Sequence, residues 1–157
     1  MEVVAWTFKQ LWQMGNGFRV YNQGNNIVLF VFDNLMEVDK ILKSQLWSFD
    51  KHLILMQCYS SDVLVTELVF EKVPFWVQVH DLPNSFMTRK VVTSLCELVG
   101  EVQKIDGAVD EDGGSFFRVR VVVDTTLPLC RGRVITLPNG SKSWVKFKYE
   151  RLPSICY

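Results

Sequence analysis

Trp144-Val145-Lys146-Phe147-Lys148-Tyr149 alternates apolar and basic side chains, and the run continues Glu150-Arg151-Leu152-Pro153-Ser154-Ile155-Cys156-Tyr157. A period of two is the signature of a strand that buries one face. Val145, Phe147 and Tyr149 share one side, and Trp144, Lys146 and Lys148 share the other. Two further stretches follow the same rule. In Phe116 to Val123 the apolar set is Phe117, Val119, Val121 and Val123, which leaves Phe116, Arg118 and Arg120 facing outward. In Pro74 to His80 the apolar set is Phe75, Val77 and Val79, which leaves Trp76, Gln78 and His80 outside.

Working outward from these strands, the pattern predicts helices and strands in alternation. Val4, Phe8, Leu11 and Trp12 recur at helical spacing within residues 3–14, and Gly15-Asn16-Gly17 stops that helix. Phe18 to Tyr21 and Ile27 to Phe32 read as strands around the turn Gln23-Gly24-Asn25-Asn26. Asp33-Asn34 supplies an N-cap for an amphipathic helix through about Gln45, with Leu35, Val38, Ile41 and Leu42 on its apolar face. A strand centred on residues 53–56 follows. After the looser Ser60-Ser61-Asp62 the pattern restarts. The strand from Pro74 leads to a helix capped by Asn84 or Ser85 and running through Val99, with Phe86, Val91, Val92, Leu95 and Leu98 inward. Then come a strand at 101–105, an acidic glycine-rich loop at 106–114, the strand from Phe116, a strand at 133–137, a turn at 138–141, and the last strand from Trp144. Helices on one side of antiparallel sheets define an α+β class. Two half-similar units are expected, residues 1–60 and 61–157, with an extra C-terminal hairpin in the second where another helix would lie.

Apolar residues make up 48% of the 157 and charged residues 22%, as in a folded domain. The formal net charge is zero, which argues against a strongly basic nucleic-acid binder. That zero hides a gradient. Residues 1–75 carry 6 basic and 8 acidic side chains, whereas residues 115–157 carry 8 basic and 2 acidic. A phosphate backbone feels such a local excess. Cys58, Cys96, Cys130 and Cys156 are far apart, so no C-x-x-C motif exists, and small core residues in a reducing compartment account for the internal three. The N-terminus lacks a signal-peptide pattern, and the apolar run Ile27 to Phe32 is too short to span a bilayer. An intracellular protein, nuclear or cytoplasmic and not secreted, is the expectation.

If the three alternating strands share a sheet, one face presents Trp76, Phe116 and Trp144 among Gln78, Arg118, Arg120, Lys146 and Lys148. Rings for bases and cations for phosphates suit single-stranded RNA or DNA. The same face is also compatible with burial under another part of the protein, or with a protein–protein surface. His80-Asp81 lacks a partnered nucleophile or metal set and reads as a strand-end turn. Asp106, Asp110, Glu111 and Asp112 lack EF-hand spacing and read as a solvated loop. Gly113-Gly114 precedes a strand, not the helix of a phosphate loop, and His52 has no visible partner. No catalytic constellation, membrane partner or small-molecule substrate is expected, and a homo-oligomer is compatible with the pattern.

Several phrases carry a more specific resemblance. Trp76-Val77-Gln78-Val79-His80-Asp81-Leu82-Pro83 resembles the first short motif of RNA-recognition-motif domains, and Gly113 to Arg120 resembles the second. Asn26 to Leu42 resembles the third strand and second helix of that fold. Together LFVF (29–32), PFWVQVHDLP (74–83), FRVRVVVD (117–124), PLCRG (128–132) and WVKFKYERLPSICY (144–157) resemble a plant, retrotransposon-derived domain of unknown function that precedes a CCHC zinc knuckle. The resemblance implies two RNA-recognition-motif-like (βαββαβ-type) units, the first lacking its first strand, and a non-enzymatic nucleic-acid-binding role. It also implies that Cys156 matches the knuckle's first zinc ligand, with the remaining ligands expected beyond Tyr157. Zinc takes four ligands. No cofactor is therefore expected in this chain, and zinc only with the knuckle restored. The competing expectation is a protein-interaction or self-assembly module, with nucleic-acid binding left to the knuckle.

Overall fold

Phe8 and Trp12, one helical turn apart, anchor the first of two units. The computed structural model describes residues 2–14, 17–44, 46–104, 109–112 and 116–152, with the backbone alone for 109–112. The units are Met1–Val69 and Phe70–Tyr157, a division later than the 60–61 suggested by the sequence pattern.

In the first unit α1 (Glu2–Trp12) is followed by the antiparallel hairpin β1 (Arg19–Gly24) and β2 (Ile27–Val31). The helix α2 (Leu35–Lys43) starts where Asn34 accepts a hydrogen bond from the Met36 N–H at 2.9 Å, so Asn34 is the N-cap expected from sequence. The strand expected around residues 53–56 is a small hairpin instead, β3 (Trp47–Phe49) with β4 (His52–Ile54). Asp50 and Lys51 make its tight turn, both at positive φ. Phe8, Trp12 and Ile41 are the buried centre of this unit. Phe18, Phe30, Phe32, Trp47 and Phe49 pack around them, with ring centroids 5.1–6.3 Å from Phe8 or Trp12. Leu11 and Leu35, assigned to apolar faces by spacing, are exposed. Gly15, Asn16 and Gln45 lie outside the described residues.

The second unit is built on one antiparallel sheet of six strands: β5 (Lys72–His80), β6 (Glu101–Val102), β7 (Val109–Asp112), β8 (Phe116–Asp124), β9 (Gly132–Thr136) and β10 (Lys142–Tyr149). β5 is central. It pairs with β8 from Lys72 to Val79 and with β10 at its C-terminal end. β9 flanks β10, while β6 and β7 share the far edge of β8. The inward parity expected from sequence holds. Phe75, Val77, Val79, Phe117, Val119, Val121, Val123, Val145 and Phe147 are all buried. The helix α3 (Arg89–Cys96) contributes Val92 and Cys96 to the same core. A Cβ on Gly100, just beyond α3, would overlap the Val122 carbonyl oxygen, so a glycine is what lets the chain approach β8 there.

Three elements differ from the sequence expectation. The helix does not start at Asn84 or Ser85. A turn of 3-10 helix covers Asn84–Phe86, and Thr88 caps α3 by accepting from the Val91 N–H. The strand at 101–105 is only two residues long in the described backbone. The acidic segment read as loop contains β7, because its backbone pairs with β8 from Val109↔Val119 to Asp112↔Phe116. Residues 105–108 and 113–115, including Asp106, Gly113 and Gly114, lie outside the described residues. The chain is α+β with antiparallel sheets. Among the described residues neither unit runs as an uninterrupted βαββαβ, since β9 stands between β8 and β10 in the second.

Candidate nucleic-acid interface

The register places the outward residues of three strands side by side. Trp76 faces Arg120 across β5 and β8, and Gln78 faces Arg118. On the other side of β5, Gln78 faces Lys148 and His80 faces Lys146. The eight residues singled out from sequence therefore do lie on one face of one sheet. Their surroundings differ sharply.

Trp76 is half-buried beside two cations. The Arg118 guanidinium carbon lies 4.5 Å from its ring centroid and that of Arg120 5.5 Å. Contacts of this kind contribute about 0.5–2 kcal/mol. Arg120 is only 5% exposed, so the expectation of an outward cation available to solvent is corrected for this residue. Burial, and to a smaller degree Arg151, lower its pKa, although a guanidinium stays protonated near neutrality. Its parity is right, but it is buried beside the Trp76 ring. Arg118 also lies 3.7 Å from the Glu150 carboxylate.

Gln78 links two partners. Its Nε2 donates to Glu150 Oε1 at 2.8 Å, and its Oε1 lies 2.8 Å from His80 Nε2. With that amide orientation His80 donates from Nε2. Burial first, then Lys148, lower the His80 pKa against the opposing effect of Asp81. The His80 ring lies 4.7 Å from that of Phe116, tilted by 30°. His80 is thus tied into the sheet face, and Asp81 takes the positive φ of the turn that follows.

β10 is the open part of the face. Lys146 and Lys148 are exposed, as is Lys142 two residues before Trp144. Trp144 itself is 53% exposed. It faces Val134 on β9. Sequence reasoning missed Gly132 and Glu150. Gly132 is buried although it sits on an edge strand, because the Trp144 indole lies over it. A lone glycine in P-L-C-R-G carried no signal of this. Glu150 was legible only as the next outward residue after Lys148.

The face is that of an antiparallel α+β unit in which aromatic rings alternate with cations. Two family matches bear on it. Residues 1–67 match the Domain of unknown function (DUF4283), and residues 123–157 match the Zinc knuckle family of CCHC type. The two matches follow one another in the order that the quoted phrases implied, DUF4283 first and the zinc knuckle second. Neither a curated protein nor a solved structure matched the chain. At the coarse level the zinc-knuckle match points to nucleic-acid binding.

The same match raises zinc, and the residues can be tested against it. A CCHC site needs three thiolates and an imidazole. The matched segment holds Cys130 and Cys156 and no histidine. The Cys130 thiol donates to the Gly132 carbonyl at 3.4 Å, and the Cys130 carbonyl accepts from the Tyr149 hydroxyl at 2.6 Å. Among the described residues no group of three or more His, Cys, Asp or Glu is placed to hold a metal. Cys156 lies outside them. The residues of the matched segment alone do not supply the CCHC donor set.

Proposed function

We propose that the outward face of the six-stranded sheet in the second unit holds single-stranded nucleic acid, RNA or DNA, and that the chain is a binding module and not an enzyme. The observation that carries this reading is the exposed β10 row: Lys146 and Lys148 beside a half-exposed indole, on a strand whose opposite face buries Val145 and Phe147. The burial fixes the strand, so the cations and ring are presented in a set order. Exposed lysines pair with phosphates, and an indole stacks on bases of any identity. Arg118, braced on Trp76 at the centre, adds positive charge to the same surface. β5 and β8 are the neighbouring strands that carry Trp76 and Phe116, the two on which RNA-recognition-motif-like domains place stacking rings. The proposed context is a retrotransposon-like protein, of the kind found in plants, acting inside the cell. There a complete knuckle with bound zinc adds affinity next to this face.

The test is an electrophoretic shift with single-stranded oligonucleotides at two salt concentrations, comparing the native chain with Lys146→Ala/Lys148→Ala. Each phosphate neutralised contributes a log–log salt slope of about −0.7, so the double variant should bind more weakly with a slope shallower by roughly 1.4. Equal affinity and slope would overturn the reading.

A second reading, a protein-interaction or self-assembly module, is favoured by α2. Leu35 and Met36 in its first turn are 72% and 78% exposed. Light scattering that finds an oligomer dispersed by Leu35→Ser/Met36→Ser, with no oligonucleotide shift, would favour this second function.

A further inference from the structure

We infer that Gly132 is a seat built for the Trp144 indole, and that the seated ring is the platform on which an unpaired nucleobase stacks; this rests on the single-strand reading above. Three rings stand on the face, and two are already occupied. Trp76 carries the guanidinium groups of Arg118 and Arg120 against its ring. Phe116 lies against the His80 imidazole at 4.7 Å. Trp144 is different. One side of its six-membered ring rests on the backbone of β9, and 53% of the residue stays in solvent.

Gly132 makes that arrangement possible. A Cβ at this position would overlap Trp144 Cζ2 and lie 2.6 Å from Cε2. Real Cβ contacts do not come that close, so any other residue would displace the indole, the β10 backbone or both. The Val145 carbonyl oxygen crowds the same point. Lys146 stands opposite Gly132 in the ladder, and Lys142 lies on the same side of β10 two residues before the ring. Two residues along a strand span about 6.8 Å. A nucleotide whose base covers the indole therefore has an ammonium group within reach of the phosphate on either side of it. The Trp144–Val134 pair adds some strand-pairing energy, but such a pair needs no glycine beneath the ring.

The roles of ring and charge separate on two fluorescent probes, oligo(dT) and an abasic oligomer of the same length and charge, each titrated with the full chain. Trp144→Ala should weaken oligo(dT) binding about 5- to 150-fold and leave the abasic probe unchanged. Trp144→Phe should recover most of the loss. Gly132→Ala should weaken oligo(dT) and leave the abasic probe unchanged, with a thermal melt on the same variant reading the separate clash of its Cβ with the Val145 carbonyl. If Gly132→Ala disrupts the hairpin, the Trp144 pair of variants decides by itself. Equal losses on both probes would overturn the inference, since the ring would then be serving charge placement or folding. Unchanged oligo(dT) binding by Trp144→Ala, with Lys146→Ala/Lys148→Ala still weakened, would overturn it and leave the single-strand reading standing. If the native chain binds neither probe, both fall together.

Discussion

Glu150 sits where an incoming phosphate would be drawn. Its carboxylate lies 3.7 Å from Arg118 and accepts from Gln78, so an anion from outside must compete with an anion from within. Glutamine at that position keeps the acceptor for Gln78 and removes the charge. Glu150→Gln should therefore tighten oligonucleotide binding, by about 1.5- to 5-fold if the internal pair is worth the usual surface value of 0.2–1 kcal/mol. A titration showing weaker binding would mean that Glu150 orders the face instead of competing for it. At this scale the sequence told which side each residue occupies and little else. Parity is local and follows from a period of two. Whether Arg120 is open or covered depends on Trp76 standing opposite it, and that register is set 44 residues away in the chain. The seat under Trp144 depends likewise on β9 meeting β10 with Lys146 opposite Gly132.

β5 carries the second unit. Its apolar residues alternate without a break, and every one of Val73, Phe75, Val77 and Val79 is 1% exposed or less. Phe75 meets the Tyr149 ring edge-on at 5.7 Å. Phe75→Ala should cost about 3–5 kcal/mol, the usual figure for emptying an aromatic core site. Denaturant melts check it, and a loss under 1 kcal/mol would mean that the sheet closes over the gap. Elements like β5 were legible because burial on one face imposes a pattern that propensity alone does not. β7 was not. Val109-Asp110-Glu111-Asp112 has no apolar alternation, and its strand exists through hydrogen bonds to β8. The start of α3 was ambiguous for another reason. Asn84, Ser85 and Thr88 are all capping residues, and only the 3-10 turn after Pro83 selects the last of them.

At the scale of the whole chain, class and motif order were legible and the metal question was sharpened. The zinc-knuckle match covers residues 123–157, yet the strands β9 and β10 account for much of that segment as sheet, and the Cys130 thiol is bonded within the hairpin. Purified chain should contain no stoichiometric zinc, and a chelator should leave its melting temperature where it was. One tightly held zinc per chain would force Cys130 out of its bond to Gly132 and reopen the assignment. The central place of β5 bears on the order in which the chain is made. β5 ends at His80, whereas β10, which closes its second edge, ends at Tyr149. At about 5–20 residues per second, a ribosome releases the middle of the sheet roughly 3–14 s before its last neighbour exists. Both edges of this valine-rich ribbon are open until β8 ends at Asp124, and the edge that β10 covers stays open for the whole interval, so the step most exposed to misassembly comes before the outward face has formed.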